Sequence, residues 1–214
     1  MPSNLERRFT RPAQRVAVET REGGKRTISG YAAVFYDAND PGTEYRLWDD
    51  VVERIMPGAF DRAAREDDVR GLFNHNDSLM LGRTTAGTMR LSVDRRGLRY
   101  EIDPPDTTSA RDLLTLLDRG DVTGSSFAFM PDDTSYREVD GVYVIERHAV
   151  RLFDVGPVSF PAYTATEAAA RSVTAEQAEQ LRREAQARRV QVPNPAAPAM
   201  AQARARAAEV AAHW

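Results

Sequence analysis

Apolar and polar positions divide the chain into short segments separated by turn signals. VAVET at 16–20 alternates, REGGKR at 21–26 supplies a Gly-Gly turn, and TISGYAAVFY at 27–36 resumes an extended pattern, which together predict a hairpin. DANDPGTEY at 37–45 has loop composition. The stretch 51–69 holds an apolar strand, a Pro-Gly break and a short helical run. VRGLFNH (69–75), TMRLSVD (88–94) and GLRYEIDPP (97–105) read as strands, the last two joined by a tight Arg-Arg-Gly turn. TTSARDLLTLLDRG (107–120) is the strongest helix signal, with a Thr or Ser cap, leucines at helical spacing and Gly120 as a C-terminal cap. Strands resume at 122–130, 141–150 and 151–160. This order predicts an α+β domain: a β-rich, partly closed barrel of short, mostly antiparallel strands with a few helices.

Both ends depart from that pattern. Residues 1–15 are polar and arginine-rich, and are expected to form a disordered N-terminal arm ahead of a domain at 16–172. Composition then shifts. Residues 172–189 place Thr174 and Gln177 at capping-box spacing before strong helix formers, 192–200 is a proline-alanine linker, and 201–214 is a second small helical segment. Neither segment has a broad apolar stripe, so 173–214 is expected to be a helical tail without its own core.

Composition narrows the chemistry. The 214 residues are 42% hydrophobic, enough for one core, and contain no cysteine, which excludes disulfides, thiol catalysis and thiolate-held metals. Only His75, His148 and His213 are histidines, which argues against a three-histidine zinc site. No metal and no cofactor is implied. No apolar run approaches the roughly 18 residues of a membrane span, and the first residues lack a signal peptide's apolar stretch. A net charge of −3 argues against a dedicated nucleic-acid binder; Arg182, Arg183, Arg188 and Arg189 are interspersed with glutamates, as on a solvated helix face.

Three segments could carry hydrolytic chemistry, which without cysteine or metal needs an activated oxygen nucleophile or a carboxylate pair. In GDVTGSSFAF (120–129), Ser126 follows a glycine that allows close backbone approach, although Gly-Ser-Ser is also a common turn. In LFNHNDSLMLGRT (72–84), His75 sits between an apolar strand end and a polar loop, where either a general base or an ordinary loop histidine would stand. In ERHAVRLFDVGPVSFPAY (146–163), Glu146, His148 and Asp154 would share one face of an unbroken strand. Any of them could orient His75, or the face could simply be solvated.

These segments, in this order, resemble the prohead maturation serine proteases of tailed bacteriophages, which share the fold of herpesvirus assemblin. The likeness spans roughly 15–165 and rests on GYAAVF (30–35), ERIMPGAF (53–60), NHN with LGRT (74–76, 81–84), GTMRL (87–91), GDVTGSSFAF and LFDVGPVSFPAY (152–163). It implies an assemblin-like serine endopeptidase that cleaves the major capsid protein precursor and scaffold inside the assembling procapsid, in the cytoplasm of a bacterial host. It also implies a homo-oligomer, a dimer or higher, with no membrane partner.

Carried over by position, the histidine is His75 and the serine Ser126, with Ser125 as the alternative serine. The assemblin third-member histidine aligns with Ala149, which cannot serve. Asp154 matches the acidic residue that phage relatives carry before the valine–small–x–valine stretch, so the resemblance favours it, ahead of His148 and then Glu146. Pro157 and Val158 stand where assemblins carry an oxyanion-binding arginine, leaving that role to backbone amides near Ser126, to Arg83 or to Arg151. The tail at 173–214 would be a scaffold- or capsid-targeting segment. The rival reading is a non-catalytic assembly scaffold or chaperone with the same fold.

Overall fold

Two strands dominate the architecture. β10 (Gly124–Val139) and β11 (Val142–Val158) form one long antiparallel hairpin, closed by Asp140 and Gly141 at φ 51° and 80°. Positive φ at both central residues matches the right-handed twist of flanking strands, which is why Asp-Gly is favoured there. The computed structural model describes residues 5–10 and 15–160, together with Glu179 and Arg183. Of the expected tail at 173–214, only those two residues are described. They are helical and exposed, and pair at 3.4 Å with i,i+4 spacing.

Before the hairpin come β1 (Glu6–Thr10), β2 (Ala17–Thr20), β3 (Arg26–Val34), β4 (Glu44–Trp48), β5 (Val51–Ile55), α1 (Ala63–Glu66), β6 (Arg70–Leu72), β7 (Met80–Arg83), β8 (Met89–Val93), β9 (Gly97–Ile102) and α2 (Thr108–Arg119). One sheet runs β1-β10-β11-β5-β4, with β6 joining β11 and β7 joining β6; a second runs β2-β3-β9-β8. β5 and β6 pair with β11 in parallel, and every other pairing is antiparallel. The β-rich α+β class holds. Among the described residues, however, neither sheet closes on itself, so the expected partly closed barrel does not follow from the pairing.

Two segments differ from the sequence reading. The strands expected at 141–150 and 151–160 form one strand, and β10 passes through Pro131 instead of stopping at residue 130. Pro131 is accommodated because the register slips between Pro131 and Asp133, absorbing the missing N–H in a bulge. Within the expected disordered arm 1–15, residues 6–10 form β1, paired antiparallel with β10 from Glu6↔Phe129 to Thr10↔Ser125. The arm's polar composition misleads because Arg8 finds its counter-charge in Glu53, 45 positions along the chain.

α2 follows its caps. Thr107 accepts from the Ala110 N–H, and Gly120 ends the helix at φ 80°. Its buried face, Ala110, Leu113, Leu114 and Leu117, joins the main core, each leucine contributing about 1.5–3 kcal/mol. That core also holds Phe60, Phe127, Phe129 and Tyr100, with Phe127 and Phe129 stacked at 5.1 Å. These rings fix the β10 face opposite Ser126.

Candidate active site

Alternation along β10 sends neighbouring serines to opposite faces. Ser125 turns inward, where its hydroxyl and the Tyr100 hydroxyl lie 2.8 Å apart; both side chains are fully buried, and burial raises the Tyr100 phenol above its ordinary range. Ser126 turns to the other face, which separates it from the alternative serine.

His75 comes to Ser126 from the loop between β6 and β7. Asn74 and His75 both take left-handed φ values, 56° and 55°. Such values are uncommon for residues other than glycine and must be held by surrounding contacts. Asn74 supplies them: its backbone N–H donates to Pro157 O at 3.1 Å, its amide donates to Ser159 Oγ at 3.1 Å, and its Oδ1 accepts from the Ser159 N–H at 2.9 Å. The loop is thereby stapled to the end of β11. Asn74 lies within the NHN segment, yet the sequence reading gave it no part in positioning; only the left-handed backbone and the link to Ser159 reveal that part.

The imidazole spans two partners. Nε2 lies 2.6 Å from Ser126 Oγ, and Nδ1 lies 2.5 Å from Asp154 Oδ1. A carboxylate beside Nδ1 favours the proton on that nitrogen and leaves the Nε2 lone pair facing the hydroxyl. The three groups are nearly dry: side-chain exposure is 8% for His75 and 3% for Asp154, and Ser126 is fully buried. β11 brings Asp154 into line opposite Ala128, with Gly156 opposite Ser126.

His148 and Glu146 are not brought to this site. His148 is exposed, with Nε2 2.9 Å from Ser135 Oγ, and Glu146 pairs with Arg137 at 2.5 Å. The three residues do not share the face expected of an unbroken strand, because register shifts skip Phe153 and His148 in the pairing with β10. Arg83 is forked onto Asp68 at 2.7 and 2.5 Å, and Arg151 lies over the Phe153 ring.

The covering strand is β1. Phe9 lies opposite Ser126 and meets the His75 ring edge-on, with centroids 6.2 Å apart. The Ser126 hydroxyl also stands 2.8 Å from the backbone carbonyl oxygen of Arg8, so this carbonyl competes with Nε2 for the single hydroxyl proton. Behind β1, the Arg8 guanidinium reaches Glu53 at 2.5 and 3.0 Å and also bonds Glu6. Arg147 reaches the same Glu53 at 2.7 Å and Glu6 at 3.0 Å. Burial alone would raise Glu53, but Arg8 and then Arg147 more than offset it and hold the carboxyl below the usual glutamate range. The sequence reading did not select this cluster.

Among the described residues, no group of three or more His, Cys, Asp and Glu side chains is placed to hold a metal ion, and no helix is long and apolar enough to cross a membrane. The family model described as Caudovirus prohead serine protease matches residues 14–181. No curated protein matches the chain. Among solved structures, the bacteriophage T4 capsid assembly protease gp21 aligns over 73% of this chain and 98% of its own, with 9% identity and a TM-score of 0.46.

Proposed function

The chain belongs to the caudovirus prohead serine protease family, and from that premise we propose that it is a serine endopeptidase that processes capsid and scaffold proteins inside the assembling procapsid. Ser126 is the nucleophile, His75 its general base and later general acid, and Asp154 the group that orients and balances the imidazole. The observation carrying this reading is the single imidazole lying 2.6 Å from a serine hydroxyl and 2.5 Å from a buried carboxylate.

The steps follow from that array. His75 Nε2 takes the Ser126 proton as Oγ attacks the peptide carbonyl carbon, giving a tetrahedral oxyanion. Backbone N–H groups near Ser126 are the oxyanion donors in this scheme. Imidazolium then protonates the departing amine as the C–N bond breaks. Water, deprotonated by the same imidazole, releases the acyl group and restores the hydroxyl. Asp154 keeps its negative charge throughout. An assemblin-type barrel, homo-oligomeric assembly and location inside the procapsid belong to the same proposal. In it, residues 173–214 recruit the enzyme to scaffold or capsid subunits.

Co-expression of the capsid precursor with the native chain and with Ser126→Ala, followed by intact-mass analysis, tests the reading. The native chain yields shortened precursor; Ser126→Ala leaves it whole. Cleavage retained by the folded alanine variant overturns the mechanism. One observation favours the rival non-catalytic assembly role: Ser126 is fully buried beneath β1.

A further inference from the structure

β1 ends its sheet, so the β10 segment it covers has no other neighbour on that side. If β1 withdraws, residues 125–129 of β10 present an unpaired edge beside the nucleophile, the kind of edge that accepts an extended peptide by strand addition. Ser126 is fully buried with β1 paired along this edge, so a substrate carbonyl reaches it only once the residue is uncovered. The strand already brings a backbone carbonyl to this serine, with the Arg8 oxygen 2.8 Å from Ser126 Oγ. Because the oxygen and not the carbon faces Oγ and accepts a hydrogen bond from it, the strand is held without being cut.

The Arg8 side chain then identifies what the groove reads. It runs past the Phe129 ring, 5.4 Å from its centroid, to the fully buried Glu53. A buried ion pair is roughly neutral for stability against apolar packing of equal volume, so the core does not require this cluster. Departure of β1 removes Arg8 and Glu6 together. Glu53 then keeps Arg147 but loses the nearer arginine, and Arg147 loses the Glu6 carboxylate. The vacated groove is complementary to a cation at the Arg8 position and an anion two residues earlier.

Resting on the serine peptidase reading above, we propose that residues 6–10 occupy the substrate groove as a built-in pseudosubstrate, and that Glu53, flanked by Arg147, selects arginine at the residue whose carbonyl meets Ser126. A site with a buried charge discriminates strongly, because a neutral side chain leaves that charge unpaired.

The test uses the full chain and three aryl phosphonates that phosphonylate nucleophilic serines. They carry a benzamidine, a neutral benzyl or a carboxybenzyl side chain, and labelled positions are mapped by mass spectrometry. The benzamidine probe labels Ser126 about tenfold or more faster than the neutral probe, and the acidic probe is slowest. In Glu53→Gln the benzamidine-to-neutral ratio falls about fivefold or more. Arg8→Gln, which loosens β1, speeds labelling by all three probes, and an excess of the peptide Glu-Arg-Arg-Phe-Thr slows it.

Should either variant fail to fold by circular dichroism, the probe ratio in the native chain decides. Labelling of Ser126 at equal rates by all probes, or fastest by the acidic one, overturns this inference and leaves the peptidase reading standing. No labelling of folded protein by any probe, together with an uncleaved capsid precursor, overturns both.

Discussion

A β-carbon on Gly156 would lie 2.0 Å from the carbonyl oxygen of Leu72. No flexible side chain is available to yield there, because the opposing atom is backbone. Gly156 thus sets how closely β6 approaches β11, and β6 carries the loop that presents His75. Gly156→Ala is expected to cost about 3 kcal/mol of stability as the strands separate. Cleavage of the capsid precursor falls by about a hundredfold, since a displacement near 1 Å at the reacting groups has that effect. Denaturant melts and cleavage rates measured together check the link; full stability with lost activity, or the reverse, would contradict it.

The adjacent serines separate cleanly by substitution. Ser125→Ala strands the buried Tyr100 hydroxyl, costing about 1–3 kcal/mol, and leaves cleavage in place because Ser125 does not touch His75. On the serine peptidase reading, Ser126→Ala removes the nucleophile and is expected to lower turnover by several orders of magnitude, with little change in folding. Thermal denaturation alongside precursor cleavage distinguishes the two.

Asp154→Asn and His148→Ala test the third position. Asparagine in place of Asp154 loses the charge that fixes the imidazole tautomer, and turnover is expected to drop by about 10⁴. His148→Ala removes an exposed contact with Ser135 and leaves turnover within about twofold, the size of an ordinary surface change. A larger loss in His148→Ala than in Asp154→Asn would reverse the assignment.

Acid should weaken the molecule partly through Glu53. Its folded-state carboxyl lies below the ordinary glutamate value, with burial outweighed by Arg8 and Arg147. The stability this difference contributes is complete well above the unfolded value of roughly 4.3 and declines as pH falls toward the folded value, because the unfolded chain binds the proton first. Glu53→Gln leaves two buried guanidiniums short of a carboxylate and costs about 3–5 kcal/mol at pH 7. Urea titrations at pH 7, 5 and 3.5 should show the native and variant stabilities converging as pH falls. A constant gap across that range would remove Glu53 from the acid response.

Local signals carried much of this fold. The caps and leucine spacing of 107–120 give α2 almost to the residue, and the Gly-Gly turn gives the β2–β3 hairpin, because in each case the deciding interactions lie within a few positions. The order of their motifs singles out His75, Ser126 and Asp154, and the fold brings these three side chains together. β1 was not: an arginine-rich pentapeptide reads as solvated until Glu53 is placed beside it. The bulges skipping His148 and Phe153 were hidden for a similar reason, since register belongs to a pair of strands. Asn74 needed the left-handed backbone and its tie to Ser159 before its part could be seen.

The contacts that build the site all span long stretches of chain: 51 positions from His75 to Ser126, 79 from His75 to Asp154 and 118 from Arg8 to Ser126. Ribosomes add only about 5–20 residues per second, so seconds separate the emergence of the imidazole from that of its carboxylate. On the serine peptidase reading, nascent and truncated chains ending before residue 154 are consequently inert, and hydrolytic competence arrives only with β11, the last strand among the described residues.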